Sequence, residues 1–546
     1  PGSAAYNMPY ALRLRGALDE AALERSLTEV VGRHEALRTR FPSVDGEPAQ
    51  VIDPAGPVPL DIVELGHLAE AEREAALRAL ATAEARRPFD LAAGPLLRGT
   101  LARLGPEEHA VLFTLHHVVS DGWSMGVLVR EVSELYGAFS RGEPSPLPAL
   151  PVQYADFAAW QRKWLVGEVL DEQLAWWRER LAGAPPLLEI PTDRPRPTRP
   201  SDRGGSVPFT LGEEATGALG ALARREGATL FMTLLAGWQL LLARYSGQDD
   251  VSVGTPIAGR TRLETEGLIG FFVNTLVLRA DLSGDPTFRE LLGRVRETTL
   301  GAYQHQDIPF ERLVEELAPE RSLSHAPLFQ AMFILQNNTW EALRLGSLDA
   351  EALPGGDETA KFDLTLGIAE TGDRLAGALS YRADLFDAAT AERMTEHLRV
   401  LLEVVAAEPD APLAGVSLVS EAERAALLGS PPAVFPADAP LHDLFAARAA
   451  RTPGAPALTF EGETLTYAEL DRRAEQLAAR LAGRGVGTES VVGLCAERSL
   501  EMVIALLGIL KSGGAYLPLD PENPAARLQY MLSHSGAHVL VAQERF

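Results

Sequence analysis

The run AVLFTL, residues 110–115, is apolar at all but Thr114 and then meets two histidines. Its β-rich, near-continuous apolarity predicts a buried strand over HAVLFTLHHVV. After SDGW the spacing switches: Leu128, Val132, Leu135 and Phe139 fall on one helical stripe. The stretch therefore reads as strand, turn and helix, with two histidines at the strand's end. Upstream, Tyr10, Leu12 and Leu14 alternate as in a strand, and Leu23, Leu27, Val30 and Val31 recur at helical spacing behind Asp19, a predicted N-cap. YADFAAWQRKWLVGEVLDEQLAWWRERLAG reads as a helical, Trp-rich piece.

The second half mixes both periods. ATLFMTLLAGWQLLLARYSG predicts a long helix. Strands are expected near DVSVGTP, FVNTLVLRADL and LFQAMFILQN, and helices through FRELLGRVRETTLGAYQH and AERMTEHLRVLLEVVAAEP. The Pro-rich tract PTDRPRPTRPSDRGGS separates the halves, because proline lacks a backbone donor and stiffens the chain. The expected organisation is a first lobe over 1–190, a linker over 191–206 and a second lobe over 207–415. A further linker over 416–440 precedes a last domain over 441–546, where helix and strand alternate. The opening PGSAAYNMPY runs straight into a strand and does not begin with Met, which reads as a piece of a longer polypeptide.

Charge narrows the function. A formal net charge of −25 repels a phosphate backbone and argues against a nucleic-acid partner. Cys495 is the single cysteine, so no intrachain disulfide or thiolate metal site is expected, which fits a reducing cytoplasm. No apolar window is long enough to predict a membrane span.

His116, His117, Asp121 and Gly122 form the pattern HHxxxDG. Neighbouring strand residues point to opposite faces, so only one imidazole is expected to face a cavity. Gly122 either supplies a positive φ or leaves room for a ligand beside the backbone. Two core histidines, a zinc site and hydrolysis are the competing readings. No HExxH, cysteine cluster or GxSxG elbow supports the last two. A neutral imidazole suits acyl transfer, as proton acceptor or as partner of a developing oxyanion.

LHHVVSDGWS resembles the HHxxxDG motif of condensation domains of non-ribosomal peptide synthetases. RHEALRTRF (33–41), YADFAAWQR (154–162), IGFFVNTLVLR (269–279), HQDIPFE (305–311) and RSLSHAPLFQ (321–330) resemble further motifs of that family in its order. The family's first motif is expected upstream of Pro1. The resemblance implies an α/β (α+β) fold of two chloramphenicol-acetyltransferase-like lobes in a V-shaped pseudo-dimer. SDGWSMGVLVRE and RSLSHAPLFQ look most like the subtype joining an L-configured donor to an L-configured acceptor. LTYAEL (465–470) and LKSGGAYLPLD (510–520) resemble the first motifs of adenylation domains. In that family ATP and magnesium serve the complete adenylation domain only, so this part is not expected to act alone.

The implied reaction is amide formation between a donor acyl thioester and an acceptor α-amine, both delivered on phosphopantetheine arms of carrier proteins within an assembly line. No bound cofactor or metal is implied for that step. His117 is expected to face the channel, His116 to orient the motif, Asp121 to be structural through an ion pair with Arg279, and Gly122 to clear the arm. Trp123, Ser124 and Asn274 are channel candidates. Two alternatives stay open: a non-catalytic docking scaffold, and an acyltransferase with a free amine or alcohol acceptor.

Overall fold

The computed structural model describes residues 4, 6–317, 322, 324–336, 345–346, 348–353, 359–429 and 439–546. Arg321 and Leu323 of RSLSHAPLFQ, and 430–438 of the expected linker, lie outside them. The chain divides into two compact units, Pro1–Ala426 and Leu427–Phe546.

The first unit contains two large sheets, of five and six strands. Its early elements are β1 (Asn7–Arg15), α1 (Glu20–Arg33), β2 (Asp61–Glu64), α2 (Glu70–Arg86), β3 (Leu97–Gly105), β4 (Glu108–His116) and α3 (Gly122–Phe139). Asp19 caps α1 by accepting the Ala22 N–H, as its position predicts. β4 has seven consecutive buried residues, His109–Leu115, so the strand is covered on both faces. It pairs antiparallel with β1, and Asn7 lies opposite His116. The strand stops at His116, earlier than its apolar pattern predicts. The His116 ring accepts the Val118 N–H, and the Ser120 N–H turns back to the His117 carbonyl. Local bonds thus replace the ladder, and residues 117–119 form one tight turn. The Trp-rich piece is two helices, α4 (Tyr154–Trp164) and α5 (Glu168–Leu181). Gly167, at φ +56°, separates them in a conformation that suits glycine.

The later elements are β5 (Gly204–Leu211), α6 (Glu213–Arg225), α7 (Leu230–Ser246), β6 (Asp250–Ile257), β7 (Asn274–Asp281), α8 (Phe288–Gln304), α9 (Phe310–Leu317), β8 (Ala331–Gln336), β9 (Asp349–Ala352), β10 (Leu364–Thr371), β11 (Arg374–Arg382) and α10 (Ala388–Ala407). Six strands form a mixed sheet in the order β7-β6-β8-β10-β11-β5. The β6–β8 and β8–β10 pairs are parallel, the rest antiparallel. α7 is apolar nearly all round and is buried from Met232 to Ala243, which is where such a helix belongs in a globular core. Among the described residues no single helix is long and apolar enough to cross a membrane.

Two segments from the later sequence return to the first sheet. β9 pairs antiparallel with β1, giving the order β9-β1-β4-β3-β2. The second is the segment 259–273 between β6 and β7, called the strap below, which packs on the start of α3.

The second unit has its own small cores. It holds a hairpin of β12 (Pro456–Phe460) and β13 (Glu463–Thr466), and a parallel sheet of β14 (Val491–Cys495), β15 (Ala515–Leu519) and β16 (Val539–Ala542). Thr466, in LTYAEL, forms a reciprocal capping box with Glu469. In LKSGGAYLPLD the glycine at 513 takes φ +85° between a helix end and β15, the expected glycine stop.

Candidate functional site

The site is built at the join of β4 and α3. His117 opens the turn after the strand. Its backbone N–H donates to the Tyr6 carbonyl at 2.9 Å. Its ring Nδ1 lies 2.9 Å from the Ser120 carbonyl oxygen. A carbonyl can only accept, so Nδ1 carries the proton and Nε2 of the neutral ring is an acceptor. Among the described residues no protein group bonds Nε2. Burial, and then the nearby Lys361 cation, holds the imidazole below its ordinary value, so the ring is neutral near pH 7. The Phe271 ring meets it edge-on at 5.1 Å between centroids.

His116 faces elsewhere, as strand alternation requires. Its Nδ1 is spent on the Val118 N–H, and its ring lies 5.9 Å from Phe89 and 6.2 Å from Tyr6. Burial, then the neighbouring His117, pushes its pKa down as well.

Asp121 is 2% exposed and caps α3. Its Oδ1 accepts from the Ser124 N–H at 2.8 Å and lies 2.7 Å from the Ser124 hydroxyl. Its Oδ2 accepts the strap's Phe272 and Val273 N–H groups at 2.9 and 3.2 Å. The expected ion pair with Arg279 is not formed. Arg260, on the strap, pairs with Asp121 Oδ1 at 3.0 Å, with the two side chains 1% and 2% exposed. Its guanidinium also lies 4.0 Å from the Phe272 ring centroid. Arg279 points to Asp250 instead, at 2.6 and 2.8 Å. Across β6–β7, Arg279 sits opposite Ser252, so Asp250 is its diagonal neighbour on the same face.

Gly122 is the first helical residue and is not in the left-handed region. A Cβ there meets no heavy atom within 4 Å. Of its two expected roles, only clearance remains. Ser124 is a correction: it is 0% exposed and its hydroxyl accepts from Arg260 and the Gly270 N–H, so it lines no channel. Trp123 is 36% exposed, and its indole N–H donates to the strap carbonyl of Glu266. Asn274 holds the turn before α9: its amide donates to the Gln306 and Ile308 carbonyls and accepts the Phe310 N–H. It also lines a cavity of about 160 Å³ with Trp160, Trp164 and Phe271.

Arg260 is the residue that sequence reasoning missed. It lies in an aperiodic loop 139 positions from Asp121. The only available signal was the basic AGRTR run itself, a short way upstream of IGFFVN.

The same arrangement of elements and motifs recurs in known proteins. The model of the condensation domain family matches residues 1–428, and that of AMP-binding enzymes matches 445–546. A linear gramicidin synthase of Brevibacillus parabrevis is 51% identical over 551 residues, which takes in 100% of this chain and 11% of that protein. The X-domain from teicoplanin biosynthesis superposes with a TM-score of 0.71 at 34% identity, over 76% of this chain and 93% of that one. Holo-AB3403, a four-domain nonribosomal peptide synthetase bound to AMP and glycine, gives 0.81 at 27% identity, over 100% of this chain and 42% of that one. With a mixed α/β fold, the HHxxxDG turn in place and a family match over most of its length, the chain belongs to the condensation domain family, followed by a segment that matches AMP-binding enzymes.

Proposed function

We propose that residues 1–428 form an amide between a donor acyl thioester and the α-amine of an acceptor aminoacyl thioester, both held on phosphopantetheine arms of carrier domains. The observation that carries this reading is the state of His117: a neutral ring, proton fixed on Nδ1, with Nε2 left as an acceptor. An α-amine has an ordinary pKa of about 7.7–8.0, so a useful fraction is already nucleophilic near neutrality. Nε2 orients that amine by accepting one N–H. As the amine attacks, a C–N bond forms and the carbonyl becomes a tetrahedral oxyanion. Nε2 takes the amine's proton, the C–S bond breaks, and the proton passes to the departing thiolate. A neutral ring with this tautomer cannot donate from Nε2 to the oxyanion, which favours the proton-acceptor role.

Asp121 and Arg260 shape the turn and carry no proton. His116 orients the turn through Val118. The open side of Gly122, at the start of α3, gives an arm room to pass. The segment matching AMP-binding enzymes supports an assembly-line setting, in which a following domain loads the acceptor carrier.

The test is a single-turnover assay with donor and acceptor carriers loaded with simple aminoacyl groups, followed by intact mass. The wild-type chain is expected to yield a dipeptidyl carrier. His117→Ala is expected to slow it about 100- to 10,000-fold without loss of fold. Equal rates for the two would overturn the role of His117. A second reading, docking without turnover, draws on the similar X-domain, whose structure is described in a complex with OxyB. Carrier binding without product from any donor would favour it.

A further inference from the structure

His34 has no place in the chemistry above. It is 1% exposed at the end of α1, within RHEALRTRF. A histidine so placed is ordinarily a satisfied core residue, but its partners lie on two other elements. Its Nδ1 is 3.2 Å from the Ile269 backbone nitrogen, which can only donate. Nδ1 is therefore bare, and Nε2 carries the proton. That proton points to Glu131 on α3, whose Oε2 lies 2.8 Å away. Arg33 donates to the other oxygen of Glu131 at 3.0 Å. Burial of Glu131 opposes its charge, yet His34 and Arg33 outweigh it and leave the carboxyl below its usual range. The carboxylate and the tautomer stabilise each other.

Ile269 begins a run of strap donors received in order by the first lobe. Ile269 N–H goes to His34, Gly270 N–H to Ser124, and Phe272 and Val273 N–H to Asp121. Phe271, in the middle of the run, is the residue whose ring meets His117. Asp121 and Arg260 hold one side of Phe271, while the other side ends on His34.

We propose that His34 is a positioning residue for the reaction: its neutral imidazole, fixed by Glu131, anchors the strap at Ile269 and so sets Phe271 against His117. The assignment to the reaction rests on the function proposed above; the anchoring does not. A small displacement at the reacting groups is enough to matter, since about 1 Å costs on the order of a hundredfold in rate.

The test separates the two ring nitrogens. The oxygen of His34→Asn falls near Nδ1 and can still accept the Ile269 N–H, but it no longer reaches Glu131. His34→Gln reaches toward Glu131 and leaves Ile269 without an acceptor. Each loses one buried bond, so a purely structural role predicts equal effects. The expected result is that His34→Asn keeps the single-turnover rate, at saturating carriers, within a few-fold of wild type. His34→Gln is expected to lose about ten- to a hundredfold. Hydrogen–deuterium exchange of residues 269–273 is expected to quicken in His34→Gln and stay slow in His34→Asn. Equal exchange and equal rates for the two variants would overturn the proposal. If the wild-type chain forms no product, the function above fails and the exchange arm still decides whether His34 anchors the strap.

Discussion

Two of the Asp–Arg pairs, Asp121–Arg260 and Asp250–Arg279, differ in what surrounds them. Asp121–Arg260 joins the start of α3 to the strap, with both side chains almost wholly buried. Asp250–Arg279 joins adjacent strands at the sheet's edge, with side chains 30% and 21% exposed. In the first pair each oxygen of Asp121 has further donors, including two strap N–H groups. The ion pair is one bond of a network that locates a loop. In the second, Arg279 also donates to the Arg180 and Ala182 carbonyls, tying the end of α5 to the sheet. Solvent reaches this pair, so its charges are partly screened. The lesson is that a charge pair's importance follows from its burial and from what else its oxygens hold.

The largest effect that would break this contrast is expected from Arg260→Ala. It leaves a buried carboxylate without its counter-charge and should cost about 3–5 kcal/mol, read by denaturant unfolding. Condensation activity should disappear with it, because the strap beside His117 loses its anchor. Asp121→Asn is next. It keeps one acceptor oxygen but turns an N–H₂ toward donors and leaves the buried Arg260 guanidinium without its counter-charge, so it should also cost about 3–5 kcal/mol. Its melting temperature should lie close to that of Arg260→Ala and well below wild type. Arg279→Ala should cost about 1 kcal/mol or less and leave the condensation rate near wild type. A loss in Arg279→Ala as large as in Arg260→Ala would erase the distinction.

A pH series sharpens the contrast with the smallest effect. Folded His117 sits below its ordinary value, mainly through burial. The unfolded chain therefore binds more protons once pH falls through about 6.5. Stability should fall over that window and the loss should level off below the folded value. His117→Ala should flatten this slope, whereas Arg279→Ala should leave it unchanged. The acid limb of the condensation rate should likewise lie below about 6.5, measured by single turnover across pH.

Much of this site was legible in the sequence. The change of period after SDGW marks the start of α3, and Asp121 at that start is an N-cap by residue type alone. Asp19 is the same case. Strand alternation already excluded both imidazoles from one face. Other features were not legible. His116 ends β4 because its ring bonds the Val118 N–H, a local competition that an apolar run conceals. Ser124 was a channel candidate, but the strap buries it. The resemblance implied Arg279, at the end of FVNTLVLR, as the Asp121 partner. The true partner, Arg260, stands in a loop where no local spacing marks its position.

Short-range physics thus decided the elements, the turn and which histidine could face outward, because caps, strand alternation and helical spacing act within a few residues. Only the tertiary structure decided which arginine neutralises Asp121, that Gly122 does not take a left-handed backbone, and that His34 receives the strap. The arginine and His34 contacts depend on a segment some 140 to 235 positions away folding back onto the start of α3 and the end of α1. Which long-range partner wins there is set by burial and hydrogen-bond geometry together, and neither is written in local spacing.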